Sequence, residues 1–211
     1  MLLKSPKIQL LVFSTLLILA ALVHLPGKSG PFIFDDYTNL HDNSYVKIKS
    51  LDPESLYYAA YSLDSGPLRR PVAMASFAIN YYFAGSLRDS TPYKLTNIGI
   101  HALNGLLLFW LMRLVWARIA PARASPASTL MATLPAFLIA LLWVVHPIQT
   151  ISVLYVVQRM NELSALFSLL AMIFYMKGRL QLAAGNAKGA VLALVGLPVT
   201  VEVHLAHRDP P

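Results

Sequence analysis

The sequence predicts an all-α, polytopic integral membrane protein with four or five transmembrane helices and a large outer loop after the first. Three observations carry this. Of 211 residues, 56% are hydrophobic and only 13% charged, about half the roughly 25% of an ordinary soluble domain. Mean hydropathy is +0.57. Apolar runs of spanning length recur along the chain, separated by short cationic segments or by one long polar one. So few charges cannot cover a soluble two-layer fold of this size, and the composition excludes disorder and a coiled coil. The chain has no cysteine, which excludes a disulfide scaffold and a Cys-ligated zinc or iron–sulfur site.

The first span is residues 8–25, preceded by Lys4 and Lys7. At about 1.5 Å per residue it matches the roughly 30 Å hydrocarbon core. It exceeds the apolar core of a cleaved signal, so it reads as a retained anchor. Residues 26–94 are polar and form the outer loop. Within it, Asp52-Pro53-Glu54 is a helix start, with Asp as cap and Pro at the first helical position. Residues 71–84 are apolar and aromatic but too short to span, which suits the membrane interface. Further spans are expected at 95–112, at 128–145 around Pro135, and at 161–176. A weak fifth at 190–203 is interrupted by Pro198 and Glu202.

The net charge of +7 is informative through its placement. The outer loop carries seven basic and seven acidic residues. Lys4 and Lys7, then Arg113, Arg118 and Arg123, then Lys177, Arg179 and Lys188 stand without any acid among them. If spans alternate, these three groups share one side, and the positive-inside rule makes that side the cytoplasm. The N-terminus is then cytoplasmic, and loop 26–94 and segment 146–160 lie outside. Cations scattered over membrane flanks also argue against nucleic acid as a partner.

Four groups of residues carry chemistry. Asp35 and Asp36 follow the first span. They can act as a general base or share a divalent cation, although two adjacent carboxylates without further ligands are a weak metal signal and a solvated loop is the bland alternative. Asn97, His101 and Asn104 recur at i, i+4 and i+7, one polar stripe on an apolar helix. Such a stripe lines a wet pocket or hydrogen-bonds between helices. Between His146-Pro147 and Arg159, helical spacing gathers Gln149, Ser152, Tyr155 and Arg159 on one face of an amphipathic segment. That face can hold a lipid phosphate, or Arg159 can snorkel or pair with Glu162. Arg69-Arg70-Pro71 is a compact cation pair suited to an anionic headgroup or a substrate phosphate. No phosphate-binding Gly loop, G-x-S-x-G or H-E-x-x-H is present, and no repeat of 20–50 residues is visible.

Phe34-Asp35-Asp36, Arg70-Pro71, Asn97 with His101 and Asn104, His146-Pro147-Ile148-Gln149-Thr150 and Tyr155-Val156-Val157-Gln158-Arg159 occur in that order. This succession resembles the N-terminal membrane part of the transmembrane and tetratricopeptide-repeat family, O-mannosyltransferase-like members of the GT-C glycosyltransferases, in a bacterial-type form. The resemblance implies transfer of a sugar from a polyprenyl-phosphate donor to a hydroxyl of a protein or glycan, on the non-cytoplasmic face of a bacterial inner membrane. It implies Asp35 and Asp36 as the catalytic carboxylates, acting as base or binding metal. Arg70, Asn97, His101, Asn104, His146 and Arg159 are the candidate substrate-binding set, with His101 and Arg159 foremost for the donor phosphate. The chain departs from the family at Ile151, where relatives often carry an acid or amide. Family members also continue through further spans and helical repeats. Residues 1–190 therefore read as the GT-C-like domain. Residues 191–211 read as an atypical tail, expected from a truncated or frameshifted reading frame. The competing expectation is a non-catalytic membrane protein acting in assembly or lipid binding.

Overall fold

The computed structural model describes residues 6–63, 70–119, 126–186 and Val191, without the side chains of residues 6–9, 117–118 and 126–132. The described residues form seven α-helices and no strand. They are α1 (Pro6–His24), α2 (Pro53–Ala60), α3 (Pro71–Ala84), α4 (Thr91–Ile119), α5 (Pro126–Val145), α6 (Gln149–Leu154) and α7 (Arg159–Ala183). Three stretches are long and apolar enough to cross a membrane: Leu10–Gly27, Thr91–Trp116 and Val156–Ala183. On α5 the described apolar stretch, Thr133–Val145, is shorter. The expected fifth span, at 190–203, lies outside the described residues apart from Val191, as does Arg69.

Helix α4 is central and packs against α1, α5 and α7. Val12, Leu16 and Ala20 of α1 meet Ala102 and Phe109 of α4 and Ala136, Ala140 and Val144 of α5 in one buried cluster. Small residues let these helices approach closely: a Cβ added at Gly105 would lie 2.3 Å from Val144 Cγ2. Leu10, Leu11, Ile18 and Leu22 of α1, and Leu134, Leu138 and Leu142 of α5, face outward and exposed, as side chains solvated by lipid would.

A second cluster sits over the start of α4 and α7. It joins Phe32, Leu40, Val46 and Leu63 of the connecting loop to Met74 and Phe77 of α3, Tyr93, Val156, Val157 and Met160. The loop is therefore folded onto the bundle. The Asp52 cap forms as expected: its side chain accepts from the Ser55 N–H at 2.8 Å, with Pro53 at the first helical position. Hydroxyl donors Ser50 and Ser55 hold its carboxyl well below the usual carboxylate range. The buried Lys94 ammonium donates to Gly30 O at 2.6 Å, and the Ser90 hydroxyl to the same oxygen at 2.5 Å, pinning the chain after α1 to the head of α4.

Two helices extend beyond the expected spans, and one expectation is corrected. Helix α4 starts at Thr91, inside the stretch read as loop 26–94, and runs past 95–112 at both ends. The last long helix, Arg159–Ala183, contains the stretch expected at 161–176 and extends past it at both ends. The amphipathic helix expected through Arg159 is broken: α6 ends at Leu154, Tyr155 is extended (φ −85, ψ 112), and Val156–Gln158 is a single 3-10 turn. The break buries Val153, Val156 and Val157. Their carbonyls do not go unpaired: the Asn97 amide donates to Val153 O and Val156 O at 3.2 Å, and the Arg159 N–H to Val156 O and Val157 O.

Candidate functional site

Five of the eight singled-out residues, Asp36, Asn97, His101, Asn104 and Arg159, are fully buried. His101 is fully buried at a point where all four long helices meet. Its Nε2 lies 3.0 Å from Val144 O, and a carbonyl can only accept, so that nitrogen carries a proton. Its Nδ1 lies 3.2 Å from Glu162 Oε1 of α7. Trp143 stacks on the ring at 4.6 Å, and His24 of α1 meets it edge-on at 5.2 Å. The buried Asn104 amide donates to Glu162 Oε2 at 2.8 Å and to Glu162 O at 2.9 Å. Thus Glu162 partners His101 and Asn104, not Arg159. The signal for this was present in the sequence: an acid inside an apolar span requires a partner on another helix.

Arg159 is also fully buried, and its guanidinium is spent on neutral acceptors. Nε donates to Asn97 Oδ1 at 2.7 Å, and Nη1 to Ser76 O at 3.2 Å and to Ser76 Oγ at 3.4 Å. Nη2 donates to Asn80 Oδ1 at 2.8 Å and to Tyr93 O at 2.9 Å. Its carbon sits 4.3 Å from the Phe77 ring centre. Arg159 therefore neither snorkels nor stands at a surface. It ties α3, α4 and α7 together. Ser76, Asn80 and Tyr93 had no sequence signal for this, since their convergence depends on how α3 folds back.

Asp35, Asp36 and Arg70 gather around the segment Tyr155–Met160. Asp36 is fully buried. Its Oδ2 accepts from Ile33 N–H at 3.0 Å and its Oδ1 from Val157 N–H at 2.7 Å. Burial pushes the Asp36 carboxyl above the usual range, opposed by those N–H donors and by Lys94. Asp35 is exposed, and its N–H donates to the Tyr155 hydroxyl at 3.0 Å. Desolvation raises the Tyr155 phenol above its ordinary value, and the Asp35 and Asp36 charges add to this against the opposing Asp35 N–H. Arg70 is exposed, and its Nη1 donates to Met160 Sδ at 3.0 Å. One short strip thus holds Asp35 at Tyr155, Asp36 at Val157 and Arg70 at Met160. His146 stands apart from the strip. It is exposed at the end of α5, and its Nδ1 accepts from Ile148 N–H at 3.2 Å.

Among the described residues, the two non-glycine residues with left-handed backbone are Phe34 (φ 43) and Arg70 (φ 42). Both belong to this site, and such conformations cost about 1–3 kcal/mol each. With both Asp36 oxygens facing N–H donors, the acidic pair does not present two free carboxylates to a shared cation. No group of three His, Cys, Asp or Glu suited to a metal occurs among the described residues.

Chemically, the site offers an exposed carboxylate beside an anchored one, with an exposed guanidinium on the same strip, at the loop-covered end of a membrane bundle. The chain is similar to Protein O-mannosyl-transferase Tmtc3 of Drosophila melanogaster, with 27% identity over 197 residues, covering 82% of this chain and 20% of that protein. It is also similar to Protein O-mannosyl-transferase TMTC4 of Homo sapiens, with 28% identity over 153 residues, covering 70% of this chain and 20% of that protein. The chain spans about a fifth of the length of these curated relatives. No family model and no solved structure matches it. The two similarities support a relationship with the O-mannosyl-transferases and suggest a glycosyltransferase-like function.

Proposed function

We propose that this chain forms the base and donor-phosphate side of a membrane sugar transferase. The donor is a polyprenyl-phosphate sugar, mannose by analogy with the relatives' names, and the acceptor is a hydroxyl on the non-cytoplasmic face. The observation that carries the reading is the strip Tyr155–Met160, which gathers an exposed acid, its buried neighbour and an exposed arginine around two strained residues. Asp35 takes the proton of the attacking acceptor hydroxyl. The hydroxyl oxygen bonds to the anomeric carbon while the bond from that carbon to the phosphate oxygen breaks. The leaving polyprenyl phosphate keeps the electron pair, and Arg70 balances its charge, with the exposed His146, apart from the strip, a further hydrogen-bonding group for the donor. Asp36, Asn97, His101, Asn104 and Arg159 hold this surface in shape from within.

The test is transfer from radiolabelled polyprenyl-phosphate mannose by the chain in proteoliposomes. Asp35→Asn should lower turnover by about 10² or more, the scale of a lost general base, with membrane insertion unchanged. Wild-type turnover in that variant would remove Asp35 from the mechanism. A non-catalytic lipid-binding reading has one observation in its favour: Asn97, His101, Asn104 and Arg159 are closed to solvent and engaged with protein. Donor binding without any turnover in the wild-type chain would favour it.

A further inference from the structure

We infer that Tyr155 is a positioning residue that fixes Asp35 in the orientation required of a base. The inference rests on the sugar-transfer reading above and deepens it. Asp35 is exposed in a turn whose local bonds, Asp36 N–H to Ile33 O at 3.0 Å and Tyr37 N–H to Phe34 O at 3.1 Å, hold its neighbours but not its own N–H. Phe34 before it is in the left-handed region, a conformation that a bulky L-residue keeps only when its surroundings over-determine it. Two cross-chain bonds do so. The Val157 N–H anchors Asp36 at 2.7 Å, and the Tyr155 hydroxyl accepts the Asp35 N–H at 3.0 Å. The Phe34 ring, 79% exposed, has the Tyr155 ring as its edge-on neighbour at 6.4 Å.

A hydroxyl that accepts one bond still has its own O–H to donate. The Asp35 carboxylate interacts with the same phenol and is an acceptor for that O–H. Tyr155 thus grips residue 35 by its backbone and leaves an O–H to steer its side chain. Tyr155 can reach outward because it is the one extended residue between α6 and the 3-10 turn. A continuous helix there would carry it away with the helix face. The break at 155 therefore serves the loop, while the turn that follows delivers Val157 to Asp36 and Arg159 to the interior.

The experiment uses the full chain in proteoliposomes with radiolabelled polyprenyl-phosphate mannose, and compares wild type, Tyr155→Phe, Asp35→Asn and the double variant. The ring and its packing survive in Tyr155→Phe, and only the hydroxyl is lost. Its kcat should fall about 10-fold with KM for the donor unchanged, since the hydroxyl acts on the base rather than on donor binding. In the Asp35→Asn background the same change should have no further effect, because a residue acting through Asp35 has nothing left to act on. Independently of turnover, the Asp35 amide should exchange its hydrogen at least 10-fold faster in Tyr155→Phe, while the Val157 amide stays protected. Additive losses in the double variant, a raised donor KM, or unchanged exchange at Asp35 would each overturn the assignment. If Asp35→Asn retains wild-type turnover, Asp35 is not the base, and absence of any turnover in the wild-type chain would sink the transferase reading itself. The exchange result then still decides whether Tyr155 holds residue 35.

Discussion

Phe34, with φ 43, turns two consecutive carboxylates to opposite environments: Asp35 is exposed and Asp36 is sealed beneath it. From sequence the two are interchangeable, since adjacency says nothing about which side chain a turn will bury. Their separation needs the Val157 N–H, 121 positions away in the chain, which no local pattern announces. The consequence is a division of labour that mutation can expose. Asn at position 36 keeps one acceptor oxygen but points an NH2 group at the second backbone N–H. One buried donor then loses its partner, at a cost of about 1–3 kcal/mol. Asp36→Asn should therefore lower the thermal midpoint in detergent, whereas Asp35→Asn should leave it within experimental error. The pH dependence adds a sign. The carboxyl of Asp36 is shifted upward by burial, so the folded state holds its proton more tightly than the unfolded chain. Stability from this group is then fullest at acid pH and is lost as pH rises from the ordinary carboxylate value through the raised one. The wild-type midpoint should show that decline, and the gap between it and an Asp36→Asn midpoint should narrow as pH rises. A gap constant between pH 4 and pH 7 would contradict the assigned burial.

At the scale of elements, the long apolar runs were legible because bilayer thickness imposes a length that composition alone reveals. The stripe Asn97, His101 and Asn104 was legible too, as a face, because a helix at that spacing has only one way to present it. Its partners were not. Whether the stripe lines a pocket or joins helices depends on what the facing elements offer. Here they offer Glu162 and the carbonyls of Val144, Val153 and Val156. Helical periodicity also could not foresee the break at 155, since it assumes continuity. Helices α4 and α5 approach closely where Val144, fully buried and stiff at χ1, fills the notch left by Gly105. Gly105→Ala gains helix propensity, about 1 kcal/mol in an open helix. In this notch the added methyl meets a side chain that has no free rotamer, and overpacking of this kind costs about 1–3 kcal/mol. The variant should melt below wild type, and Val144→Ala should restore part of the loss in the double variant. An unchanged midpoint for Gly105→Ala would show that α4 and α5 are free to separate.

Across the whole molecule, the direction of each long helix connects charge to site. His24 near the end of α1, His101 in the first half of α4, Trp143 and Val144 near the end of α5, and Glu162 near the start of α7 all meet. Successive long helices therefore run in alternating directions. The loop-built cluster with Asp35 and Arg70 caps that common end. Arg113, Lys177 and Arg179 lie toward the opposite ends of α4 and α7, where no acid accompanies them. Packing and charge placement thus put the unaccompanied cations at one end of the bundle and the acidic pair at the other, and the positive-inside rule predicts that the cationic end is cytoplasmic. The chain contains no cysteine, so a single introduced thiol reports its own side without background. Glu54, exposed on α2, and Ala184, exposed just past α7, are suitable positions that leave the inner cations intact. In intact cells or inside-in spheroplasts, a membrane-impermeant maleimide should label Glu54→Cys. It should label Ala184→Cys only after the membrane is opened. Labelling of both from the same side would break the alternation, and the reversed pattern would place Asp35 in the cytoplasm, away from any donor presented on the outer face.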